Sequence, residues 1–134
     1  MRFKIYLSIE GNHFDPAKFN AKLDKSIIGE IVCRKKTGGN NSNQPANATY
    51  WRSKSYEVTD PEYPEDRLLK LIRSMANSIQ NLSKTERVKV SAHIVEYIDE
   101  ADSPRGFYLS HDLVQALAQL DADMDTDIVH DLKS

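Results

Sequence analysis

Apolar and polar residues alternate at the start of the chain, where Phe3, Ile5, Leu7 and Ile9 are separated by Lys4, Tyr6 and Ser8. A period of two sends successive side chains to opposite faces, so this segment predicts a half-buried β-strand. Asp15-Pro16 then reads as an N-cap followed by proline at the first helical position, with Phe19 and Leu23 four apart, predicting a short helix over about residues 16–24. Residues 27–35 form a second strand candidate, weakened by Gly29. Residues 37–48 (TGGNNSNQPANA) contain nothing apolar larger than alanine or proline and predict a long polar loop or hairpin tip. Tyr50, Trp51, Tyr56 and Val58 give residues 49–59 the aromatic and β-branched content of a strand.

Pro61 and Pro64 punctuate the next turn, and the strongest helical pattern follows over about residues 65–83. Its Leu68, Leu71, Ile72, Met75, Ile79 and Leu82 make one apolar face at spacings of three and four. Val88, Val90, Ala92 and Ile94 alternate inside a long strand over residues 87–99, and an acidic turn runs on to Gly106. Phe107 to Leu109 reads as a short strand, and Ser110 as the cap of a helix reaching Leu120. Met124, Thr126, Ile128, His130 and Leu132 alternate as a last strand. The predicted order is β-α-β-β-α-β-β-α-β. It implies an α+β fold, a mostly antiparallel sheet with helices packed on one face, ferredoxin-like in character.

A length of 134 residues suits one domain, 1–134, large enough to bury a core without disulfides or metal. No apolar run is long enough to span a membrane, and residues 1–10 alternate where a signal peptide would be continuously apolar, so a cytoplasmic location is expected. Cys33 is the only cysteine, which excludes an internal disulfide and a cysteine-based metal site within one chain.

The net charge of −2 conceals a gradient. Residues 1–59 carry ten Lys/Arg against five Asp/Glu, whereas residues 60–134 carry eight against fifteen. From His93 onward ten acids face only Arg105 and Lys133. Such asymmetry bears on association with other molecules and not on fold.

Asp121, Asp123, Asp125 and Asp127 open like a calcium loop. That loop needs glycine at its sixth position and glutamate at its twelfth, where this chain has Thr126 and Leu132. No calcium site is expected. On a strand, Asp123, Asp125 and Asp127 instead point to one face, roughly 7 Å apart. Two readings stay open for them: a face that meets a basic partner, or charges that protect an edge strand from aggregation. His13, His93, His111 and His130 lack the spacing of a helical zinc motif. No phosphate-binding glycine loop or nucleophile elbow occurs, so neither cofactor nor catalytic residue is assigned. Arg34-Lys35-Lys36 and Tyr50-Trp51-Arg52 invite a nucleic-acid reading, which a pI near 6.1 disfavours.

Three stretches together resemble a bacterial family known as domain of unknown function 4279. They are Lys4 to Gly11 with Phe14-Asp15-Pro16, the Trp51 strand before the long amphipathic helix, and Phe107 to Ser110 through Asp121-Ala122-Asp123-Met124-Asp125. The resemblance implies a compact α/β domain with no catalytic residues to carry over. Some members occur in settings like toxin–immunity gene pairs.

The expected function is a non-enzymatic protein-binding domain, an immunity protein that neutralises a cognate bacterial toxin by covering it. A small-molecule-binding regulatory domain is the alternative, and an enzyme whose site assembles only in three dimensions is the third reading. The expected docking surface centres on Asp123, Asp125 and Asp127, with Glu96, Asp99, Glu100 and Asp102 as neighbours and Tyr97 and Tyr108 as aromatic anchors.

Overall fold

A computed structural model describes residues 2–12, 14–23, 29–34, 48–85, 87–99 and 103–130. The elements are β1 (Arg2–Gly11), α1 (Pro16–Ala21), β2 (Gly29–Arg34), β3 (Ala48–Ser53), β4 (Tyr56–Thr59), α2 (Pro64–Thr85), β5 (Lys89–Ile98), α3 (His111–Gln119) and β6 (Ala122–His130). The polar stretch 37–48 lies outside the described residues except for Ala48, which begins β3.

The fold is α+β, with a mostly antiparallel sheet in the order β2-β3-β1-β5-β6. β1 is central. It pairs antiparallel with β5 along nearly its whole length, Ile5 facing Ile94 and Ile9 facing Val90. Its other side is shared by β3, along Ser8 to Gly11, and β4, along Arg2 to Ile5. The aromatic segment 49–59 is therefore two strands, broken at Lys54 and Ser55. At the break, the N–H of Leu7 donates to the Oγ of fully buried Ser53 at 2.9 Å. A side-chain acceptor thus replaces the ladder partner that the break removes.

β6 runs parallel to β5, and a parallel neighbour requires a crossover, which α3 supplies. Asp15 caps α1 by accepting from the N–H of Lys18 at 3.1 Å, and Ser110 caps α3 by accepting from the N–H of Leu113 at 3.1 Å. Asp121, at φ 50°, turns the chain from α3 into β6, a left-handed conformation that a short polar side chain tolerates. Residues 107–109, expected as a strand, belong to none and do not join the sheet. The N–H of Tyr108 donates instead to the carboxylate of Glu65 on α2, at 2.8 Å.

Phe3, Ile5, Leu7 and Ile9 of β1 face the same side as Val90, Ala92 and Ile94 of β5 and Trp51 of β3. Leu68, Ile72, Met75 and Ile79 of α2, Leu113 and Leu117 of α3, and Phe19 of α1 close over them as one core. Trp51 is fully buried, meets Phe19 edge-on at 5.0 Å, and donates from Nε1 to Asn20 at 3.1 Å. Among the described residues no helix is long and apolar enough to cross a membrane.

Candidate functional site

With the helices gathered on one face, the alternation of the strands consigns a second set of side chains to the other. β1 contributes Arg2, Lys4, Tyr6 and Ser8, β5 contributes Ser91, His93, Val95 and Tyr97, and β3 contributes Arg52. The parallel register of β6 sets Asp123 opposite Ser91, Asp125 opposite His93 and Asp127 opposite Val95. The three aspartates therefore stand in line on the open face, along the strand that ends the sheet order. They lie along a strand and do not curl round a loop. Lys89 approaches Asp123 at 3.7 Å, an exposed pair that contributes little to stability.

At the centre of this face the side chains of four strands touch in sequence. The rings of Tyr6 and His93, directly opposite in the β1–β5 register, stack at 4.3 Å with an angle of 8°. The guanidinium of Arg52 lies over the other side of Tyr6, 4.8 Å from the ring centre. His93 Nδ1 lies 3.5 Å from Asp125 Oδ2, and His93 Nε2 lies 2.8 Å from Ser8 Oγ. Burial, aided by the charge of Arg52, lowers the pKa of His93 below the usual imidazole value, although Asp125 and Asp127 pull the other way. The imidazole is consequently neutral near pH 7. Burial also raises the phenol of Tyr6, with Tyr50 adding to the effect.

The other residues expected at a docking surface divide. Tyr97 is on the open face, half-buried beneath the cations of Arg2 at 4.4 Å and Lys4 at 5.4 Å. Asp99 is exposed just past β5, and Glu100 and Asp102 lie outside the described residues. Glu96 must be removed from the surface. Its even position on β5 turns it toward the core, where it is 3 % exposed and accepts the N–H groups of Arg105 at 2.7 Å and Gly106 at 3.1 Å. Tyr108 is 72 % exposed, but it belongs to the loop fastened to α2 and not to the acidic row.

That loop is held by buried charge. Glu65, 6 % exposed at the start of α2, accepts from both ends of the Arg105 guanidinium at 2.9 and 3.2 Å. Burial alone would raise the Glu65 carboxyl, but the hydrogen bonds from Arg105 and Tyr108 outweigh it and hold the group below its ordinary value. Arg105 in turn lies over the rings of Phe3 and Tyr63. Every strong acceptor here has a donor, which is what a buried carboxylate requires.

Local periodicity places Tyr6, Ser8, His93 and Arg52 on strands without joining them. The alternation of β1 was a usable signal that Tyr6 and Ser8 avoid the core; which strands lie beside them was not. A separate cleft of about 480 Å³ opens between α1 and α2, lined by Asp15, Lys18, Phe19, Lys22, Ser78, Asn81 and Leu82.

A family model described as Domain of unknown function (DUF4279) matches residues 1–131. No curated protein matches the chain, and no solved structure does.

Proposed function

Since the chain belongs to the DUF4279 family, whose description assigns no activity, we propose its function from the geometry: a protein-binding domain, an immunity protein that neutralises a basic bacterial toxin domain by covering it. The observation that supports this reading is the alignment of Asp123, Asp125 and Asp127 on the exposed side of β6. Tyr97 and exposed Val129 share that face and offer apolar contact beside the charges. A row of carboxylates steers a basic partner and sets its orientation, while aromatic contact slows its release.

The test pairs the chain with the protein encoded immediately beside it, by co-expression and by association kinetics over a salt series. Restored growth of the host and an on-rate that falls with salt support the reading. Failure of the two proteins to form a complex overturns it, as does an unchanged on-rate and salt slope when Asp123, Asp125 and Asp127 are together replaced by Asn.

The cleft between α1 and α2 favours a second reading, a regulatory domain that binds a small anion through Lys18 and Lys22. A panel of small organic anions in a thermal-shift assay tests it; a shift abolished by Lys18→Ala with Lys22→Ala supports it, and no shift overturns it.

A further inference from the structure

We propose that Ser8 is a nucleophile for acyl transfer, activated by His93 and kept in position through Asp125, with small activated esters as its substrate class. This goes beyond the docking reading and does not rest on it, although Asp125 belongs to both.

The three groups come from neighbouring strands, β1, β5 and β6, and the hydrogen-bonded registers set their spacing. Asp125 is directly opposite His93, and Ser8 is one diagonal step away on the other side. His93 therefore presents Nδ1 to the carboxylate at 3.5 Å and Nε2 to the hydroxyl at 2.8 Å. A carboxylate beside Nδ1 selects the tautomer with its proton there, leaving the Nε2 lone pair to take the proton of Ser8. The stacked ring of Tyr6 restrains the imidazole from rotating out of that line. Arg52 stands opposite Ser8 in the β1–β3 register with its guanidinium over the Tyr6 ring, so β3 brings a cation to the side of β1 away from His93, and a cation there favours the charge of a tetrahedral oxyanion. A half-buried histidine needs only some hydroxyl for satisfaction. Hydroxyl, imidazole and carboxylate follow one another on β1, β5 and β6, the order acyl transfer requires. Ser8 is only 6 % exposed, and that burial limits the electrophile to a slim acyl group.

In the reaction, Ser8 Oγ bonds to the ester carbonyl carbon while its proton passes to His93 Nε2. The C–O bond to the leaving alcohol breaks, and the alcohol takes that proton. Water, deprotonated by His93, then cleaves the acyl–Ser8 bond, and the returning proton restores the hydroxyl and releases the acid.

The isolated chain, without any partner, is treated with a small alkyl fluorophosphonate, and the adduct is located by peptide mass mapping. Phosphorus bonds to Ser8 Oγ as fluoride and the hydroxyl proton leave. The expected result is one label, on Ser8, formed about a hundredfold more slowly in His93→Gln. Because the adduct is mapped on the unmodified protein, the outcome does not hang on whether Ser8→Ala folds. The labelling rate should rise with pH through an ionisation held below the usual imidazole value by the burial of His93 and the charge of Arg52 from β3, against the pull of Asp125 and Asp127 from β6, with Tyr6 and Ser8 of β1 also facing the ring. Asp125→Asn should slow labelling and move that midpoint to lower pH, since Asp125 is a positioning group that favours the imidazolium. No label, a label on another residue, or a rate indifferent to His93→Gln overturns the proposal.

Discussion

Glu96 accepts the backbone N–H of Arg105 at 2.7 Å from a site in the core, so a strand residue and a loop nine positions further along are tied through buried charge. The same carboxylate takes the N–H of Gly106, whose φ of 72° is one that side-chain-bearing residues rarely adopt. Glu96→Gln sets an amide NH₂ against one of these donors. It should cost about 2 kcal/mol, the penalty for a buried polar group left without its partner. Gly106→Ala should cost about 1 kcal/mol through backbone strain alone. Midpoints of urea unfolding measure both, and a loss under about 0.5 kcal/mol for Glu96→Gln would contradict the clamp.

Two groups make stability fall with acidification, in separate ranges. His93 has a folded pKa below its unfolded value near about 6.5, so the unfolded chain binds its proton first and stability drops as pH falls through that value toward the folded one. Glu65 is likewise depressed, from about 4.3, and its contribution, present above that value, is lost as pH falls toward its folded pKa. Urea unfolding across pH should show His93→Gln flattening only the upper step and Glu65→Gln only the lower.

Asn20 and Trp51 are coupled by the bond from Nε1 at 3.1 Å. Asn20→Ala leaves the indole N–H without its acceptor and should cost about 1 kcal/mol, and Trp51→Phe should cost more by opening space beside Phe19. The double variant should lose less than the two separate losses combined. Strict additivity in thermal or urea unfolding would show that the pair does not interact.

Ser110→Ala removes the cap of α3 and should cost about 1 kcal/mol, with Ser110→Asp retaining most of the stability because aspartate also accepts from the third helical N–H. Equal losses in both variants would assign Ser110 some other role.

Much of the fold was legible along the chain, because burial against one face imposes a local period on residues that are near in sequence. The odd positions of β1, the even positions of β5, the apolar stripe of α2 and the caps at Asp15 and Ser110 all follow from that rule. The same rule put Asp123, Asp125 and Asp127 on one side of a strand. What the chain could not disclose was adjacency. Residues 49–59 read as one strand because nothing local records that β1 receives two partners in turn, and Phe107 to Leu109 read as a strand because their acceptor, Glu65, lies on a distant helix. Glu96 read as one acid among several until its parity on β5 and the donors of the loop made it a core residue. The contact among Ser8, His93 and Asp125 depends on β1, β5 and β6 lying side by side, two of them parallel. Those pairings cross 85 residues between Ser8 and His93, and they arise only when the whole sheet closes over its core. Periodicity assigns a side chain its face; long-range strand pairing alone decides its neighbours there.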